Sequence, residues 1–128
     1  MLLMLMLDLI AVASGGAIGT LARFLLSHRL NTRYRADNVS FPLGTFTINV
    51  FGCLCLGILV CFTMPAELQV FLVPGVLGAF TTFSAWMVEA VKLGKKNGSR
   101  GAWYVCVTFV AGVIAFVVGL ALGHFWVG

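Results

Sequence analysis

The stretch Pro74-Gly75-Val76-Leu77-Gly78-Ala79-Phe80-Thr81-Thr82-Phe83-Ser84 lies within residues 68–88, which contain no Asp, Glu, Lys or Arg. An apolar run of about 20 residues is long enough to cross bilayer hydrocarbon as a helix. This one carries a proline, two glycines and three hydroxyl residues near its middle, a composition that supports continuous helix poorly. At membrane depth, unwound backbone persists only where it is buried in protein or lines a wet cavity, and its freed carbonyls are natural ligands for a small cation. The alternative is a proline kink repaired by the Ser and Thr hydroxyls. The density of breakers favours a break, and with it an ion pathway.

Outward from that stretch the chain stays apolar. Its 128 residues are 61% hydrophobic and 9% charged, with a mean hydropathy of +1.08, far outside the soluble range. Residues 38–66 and 101–128 are also free of Asp, Glu, Lys and Arg. So are residues 9–22, and that run continues apolar to Leu26 with Arg23 as its single ionised group. The chain therefore reads as one all-α membrane domain, 1–128, of four transmembrane helices at about 3–27, 43–64, 68–92 and 101–126, the third broken near the membrane centre. The apolar opening lacks a positively charged leader and is taken as part of the first span, with Asp8 in its first turn. Cys53, Cys55, Cys61 and Cys106 fall inside spans, without zinc-ligand or CxxC spacing.

Four spans place both termini on one side of the membrane and the two long polar connections on the other. All eight Lys and Arg residues (Arg23, Arg29, Arg33, Arg35, Lys92, Lys95, Lys96 and Arg100) fall on the side of those connections. The positive-inside rule puts that side in the cytoplasm. The net charge of +4 then reflects topology and contact with anionic lipid headgroups. Nucleic-acid binding is excluded, because no basic run is interleaved with aromatic residues.

Within the spans several polar or small residues recur at helical spacing. Gly15, Gly19 and Arg23 share one face of the first, as in a small-residue packing seam; Arg23 suits an anchor at the cytoplasmic end or a pore-mouth cation. Thr45 and Asn49 share a face of the second, where interhelical hydrogen bonding competes with ion binding. Phe83 and Trp86 lie three apart just past the breakers, and their ring edges carry the partial positive charge that faces an anion without holding it tightly. Glu89, next along, reads as an interface residue rather than a proton carrier. Tyr104 and Thr108 align on the fourth span, above a small-residue face formed by Gly112, Gly119 and Gly123. No nucleophile has a base, no carboxylates pair and no glycine loop cradles phosphate, so an enzyme is excluded.

Three runs carry a family resemblance: Gly-Gly-Ala-Ile-Gly-Thr-Leu-Ala-Arg at 15–23, Pro-Leu-Gly-Thr-Phe-Thr-Ile-Asn at 42–49 and Gly-Ala-Phe-Thr-Thr-Phe-Ser at 78–84. In order, across the whole length, they resemble the CrcB/Fluc fluoride channels. The resemblance implies an antiparallel dimer in a bacterial inner membrane, with a structural sodium ion at the dimer interface. It also implies a passive channel that exports cytoplasmic fluoride and so lowers its toxicity. By matching position, the carbonyls of Gly78 and Thr81 would hold the sodium, Asn49, Phe83 and Trp86 would line the fluoride pore, Tyr104 and Thr108 would continue it, and Arg23 would stand at its vestibule.

Two positions depart from that pattern. Trp86 and Met87 stand where the family has a second pore phenylalanine and a serine, and Gly78-Ala79 replaces its usual glycine pair. The one-sided charge count also bears on assembly, since it opposes one chain inserting in both orientations. An antiparallel homodimer must tolerate that bias, or the chain pairs with an inverted paralogue. The competing function is a small proton-coupled multidrug exporter, which needs a membrane-embedded carboxylate; a third class is an assembly subunit that transports nothing alone.

Overall fold

The computed structural model describes residues 1–35 and 41–128, with 31–35 as backbone alone. The side chains of Arg33 and Arg35, both in the charge count, and the connection at 36–40 lie outside the described residues. Among the described residues every regular element is a helix. Helix α1 is Leu2–Arg35 and α2 is Leu43–Leu59. A third passage follows, made of α3 (Ala66–Val70), a π-helical stretch (Phe71–Leu77), α4 (Gly78–Phe80) and α5 (Phe83–Lys96). Helix α6, Gly98–Val127, completes the chain.

Three segments, Leu2–Leu30, Ala66–Lys96 and Gly98–Val127, are long and apolar enough to cross a membrane; α2 is apolar but shorter, at 17 residues. Large side chains such as Leu2, Phe24, Phe109 and Phe125 face outward along these segments. So much exposed apolar surface is stable only against lipid, which identifies a multi-pass membrane protein.

The third passage breaks more narrowly than its run of breakers implies. Pro74 stays inside the helix, within the π-helical stretch, where the wider backbone ring tolerates a residue without an N–H. Gly78 is also helical, at φ −61° and ψ −36°. Only Thr81 (φ −73°, ψ 157°) and Thr82 (φ −145°, ψ 119°) are extended. Helix α5 restarts at once, because Thr82 caps it: the Thr82 hydroxyl accepts from the Ala85 amide at 3.3 Å.

Glycines set the helix pairing. A Cβ on Gly15 would strike the Phe71 carbonyl, and one on Gly19 the Val76 carbonyl, so α1 runs parallel to the first half of the third passage at backbone contact. Helices α2 and α6 form a second parallel pair. A Cβ on Gly57 would strike the Phe116 carbonyl, one on Gly119 the Leu54 carbonyl, and one on Gly123 would come within 2.8 Å of the Ile58 carbonyl. These are the small-residue seams expected of the first and fourth spans. Ala90, Leu93 and Tyr104 form the buried core of the α5–α6 hairpin, and Trp86, Phe41 and Phe46 pack against it.

Candidate functional site

Opening the backbone at Thr81 and Thr82 removes helical hydrogen bonds that lipid cannot replace. Asn49, on α2, supplies the substitute. Its Oδ1 accepts from the Thr82 amide at 2.9 Å, and its Nδ2 donates to the Thr82 carbonyl at 3.0 Å. Both backbone groups of Thr82 are thus satisfied by one side chain. The Thr82 amide would ordinarily bond the Gly78 carbonyl four residues back, so Gly78 loses its helical donor to Asn49. The Thr81 carbonyl accepts none of the described hydrogen bonds, although the Thr81 hydroxyl folds back onto the Leu77 carbonyl at 3.0 Å.

Beside the break lies an open chamber of about 620 Å³. It gathers Asn49, Gly78, Thr81, Phe83, Trp86 and Thr108, six of the positions singled out in the sequence. Phe83 is 70% exposed and stands edge-to-face with Trp86, with centroids 5.9 Å apart and planes at 84°. The Trp86 indole Nε1 is buried and has no hydrogen-bond partner among the described residues. A buried donor left in that condition costs about 1–3 kcal/mol. One N–H of the Asn49 amide also remains after the Thr82 contacts, since the group carries two.

Tyr104 and Arg23 lie off the chamber wall. Tyr104, 1% exposed, donates its hydroxyl to Glu89 Oε2 at 2.9 Å, and Thr45, 3% exposed, donates to Glu89 Oε1 at the same distance. Glu89, read from its place beside the basic loop as an interface residue, is thus tied to two neighbouring helices. It is clasped at the junction of α2, α5 and α6, each carboxylate oxygen held by a hydroxyl. Thr108 donates to the Tyr104 carbonyl at 2.8 Å, so the hydroxyl protons of both residues are committed. Arg23 is half-buried on α1, one turn beyond Gly19. The sequence signal for the Glu89 cluster was a carboxylate inside an apolar helix; nothing local pointed to Thr45 and Tyr104 as its partners.

Residues 10–120 match the family described as CrcB-like protein, Camphor Resistance (CrcB). The chain belongs to the CrcB-like family. Named relatives agree over nearly the full length. This CrcB-like chain is 35% identical over 119 residues to "Fluoride-specific ion channel FluC 2" of Bacillus cereus, covering 92% of the chain and 98% of that protein. It is 38% identical over 125 residues to "Fluoride-specific ion channel FluC" of Agrobacterium fabrum, covering 93% and 98%. With "Fluoride-specific ion channel FluC 1" of Carboxydothermus hydrogenoformans it shares 34% over 124 residues, covering 96% and 98%.

For a metal, the donor set of the CrcB-like protein is one of carbonyls. Among the described residues no group of three or more His, Cys, Asp or Glu side chains is placed to hold an ion. The Gly78 carbonyl, deprived of its helical donor, and the Thr81 carbonyl, with none among the described residues, would suit a hard cation better than a soft transition metal.

Proposed function

We propose that this protein is a passive fluoride-selective anion channel that exports cytoplasmic fluoride. The observation that carries the reading is the chamber at the broken third passage, where donors and ring edges converge without a fixed cation on its wall. Its membership of a family with relatives named as fluoride-specific channels supports the same conclusion.

Fluoride holds its hydration shell tightly, so a selective path must replace water with hydrogen-bond donors while binding weakly enough to release. The free N–H of Asn49 supplies one donor, and Phe83 lines the same chamber, where an aromatic ring edge would carry partial positive charge toward an anion. Thr108 and Tyr104 extend the path only by exchanging acceptors, since both hydroxyls are already donated. Arg23 draws anions to the vestibule. An inside-negative potential drives the anion outward, by about 2.3 kcal/mol per charge for each 100 mV, so no coupled energy source is required.

Helix α2, with 17 residues, is at the lower limit of a spanning length and, as the second span, brings the number to four. The carbonyls of Gly78 and Thr81 would hold a structural sodium ion, which ties the two sides of the break together when bound. Two carbonyls leave its shell incomplete, and an inverted partner subunit completes it. That partner is a second copy of the chain or an inverted paralogue, within a bacterial inner membrane.

The deciding experiment is fluoride efflux from proteoliposomes, read with a fluoride electrode. Purified protein is expected to release trapped fluoride, and Phe83→Ile to slow release about tenfold with the dimer intact, as loss of one favourable anion contact of about 1.4 kcal/mol would give. Proton-coupled release of a lipophilic cation, with no fluoride current, would establish the exporter reading instead.

A further inference from the structure

We infer that in the cell this chain does not pair with a second copy of itself: its inverted partner is a different chain of the same fold, one that carries its Lys and Arg residues at the opposite end. This rests on the inverted pairing proposed above. Helix α1 runs parallel to the third passage, and the hairpin of α5 and α6 turns at Asn97, so the carboxyl ends of α1 and α5 share one end of the molecule with the start of α6. The four arginines of α1 all lie in its carboxyl half, and the remaining four Lys and Arg residues flank the α5–α6 turn. The other end is formed by the start of α1, the turn between α2 and α3, and the close of α6. It holds Asp8 and Glu67 and no Lys or Arg.

Orientation is set as a chain enters the membrane, by the Lys and Arg of short connections, while Asp and Glu contribute little. Both basic connections here are short, so all eight residues count, and all count the same way. Such a chain inserts with its basic end toward the cytoplasm and in no other orientation. An antiparallel pair needs both orientations. One sequence supplies both only where its two ends are near balance, since a few added charges then turn the topology over. At eight to none that balance is absent. The inverted subunit is therefore a separate sequence, with its basic residues at the end that bears its termini. The constraint acts during insertion and not on the helix surfaces. Detergent has no two sides, so purified copies are free to invert against one another, and the efflux expected of purified protein stands.

A balanced form of the chain tests this. Lys92, Lys95, Lys96 and Arg100 are exposed at the basic end, as are Thr63, Ala66, Glu67 and Gln69 at the other. Replacing the first four by Gln and the second four by Lys leaves four Lys or Arg residues at each end and touches no residue of the chamber. Both forms are made alone in bacteria that produce no other CrcB-like chain, with alkaline phosphatase, active only outside, or green fluorescent protein, fluorescent only inside, fused to the carboxyl terminus. The natural chain is expected to give phosphatase activity without fluorescence, and its cells to lose loaded fluoride no faster than cells without it. The balanced form is expected to give both signals and faster loss. Both signals from the natural chain, or fluoride loss above that of cells without it, would overturn the inference whether or not the balanced form folds. One-way insertion and no export from cells, with release from proteoliposomes once the natural chain is purified, would uphold it. One-way insertion with no release even after purification would uphold the separate partner and refute the channel.

Discussion

Asn49 spends both halves of its amide on one residue of the break, and that double use fixes what substitutions there do. Asn49→Asp keeps an acceptor for the Thr82 amide, loses the donor to the Thr82 carbonyl and sets a negative charge in the chamber. Fluoride efflux is expected to fall more than about tenfold, while thermal stability drops by about 1–3 kcal/mol, the cost of one unpaired buried group. Tyr104→Phe removes one of the two donors to Glu89. A loss of about 1.5–3 kcal/mol is expected in a denaturant titration, as for a hydrogen bond to a charged acceptor. The sequence showed Asn49 as an amide that needs a partner in hydrocarbon. It could not show which partner, because Thr82 lies 33 residues away and is brought there by packing.

Among the elements, the third passage shows how breakers and break become separated. Pro74, Gly75 and Gly78 mark where an α-helix is weak, but the π-helical stretch absorbs Pro74 without leaving helical geometry. The opening falls later, at Thr81 and Thr82, where Asn49 offers replacement hydrogen bonds. Composition thus located the irregular passage to within a few turns, and tertiary partners chose the residues that open. The glycine seams were more legible, since spacing of four along one face is a local property. Gly57→Ala is expected to force α2 from α6, because its Cβ would strike the Phe116 carbonyl. Backbone cannot yield as a flexible side chain does, so a loss of about 1–3 kcal/mol should appear as a lowered melting temperature in detergent. Gly94→Ala, with nothing within 4 Å of its Cβ, is the matched control and should leave melting unchanged or raised.

For the whole molecule, the parallel pairs α1 with the third passage and α2 with α6 leave the chamber beside the break open. If a second copy and a sodium ion close that side, exchanging sodium for N-methylglucamine should abolish fluoride efflux and shift the purified protein toward monomer on size exclusion; unchanged efflux and size would remove both from the proposal. The Asn49–Thr82 clasp also bears on how the chain is made. Synthesis runs from the amino end, so α2 is made before the interrupted passage. The Asn49 amide that covers the Thr82 backbone is therefore made before Thr82 itself. A circular permutant that delivers residues 66–96 first would present that gap to lipid with no partner in place, and its insertion, rather than its final stability, is where the defect should appear.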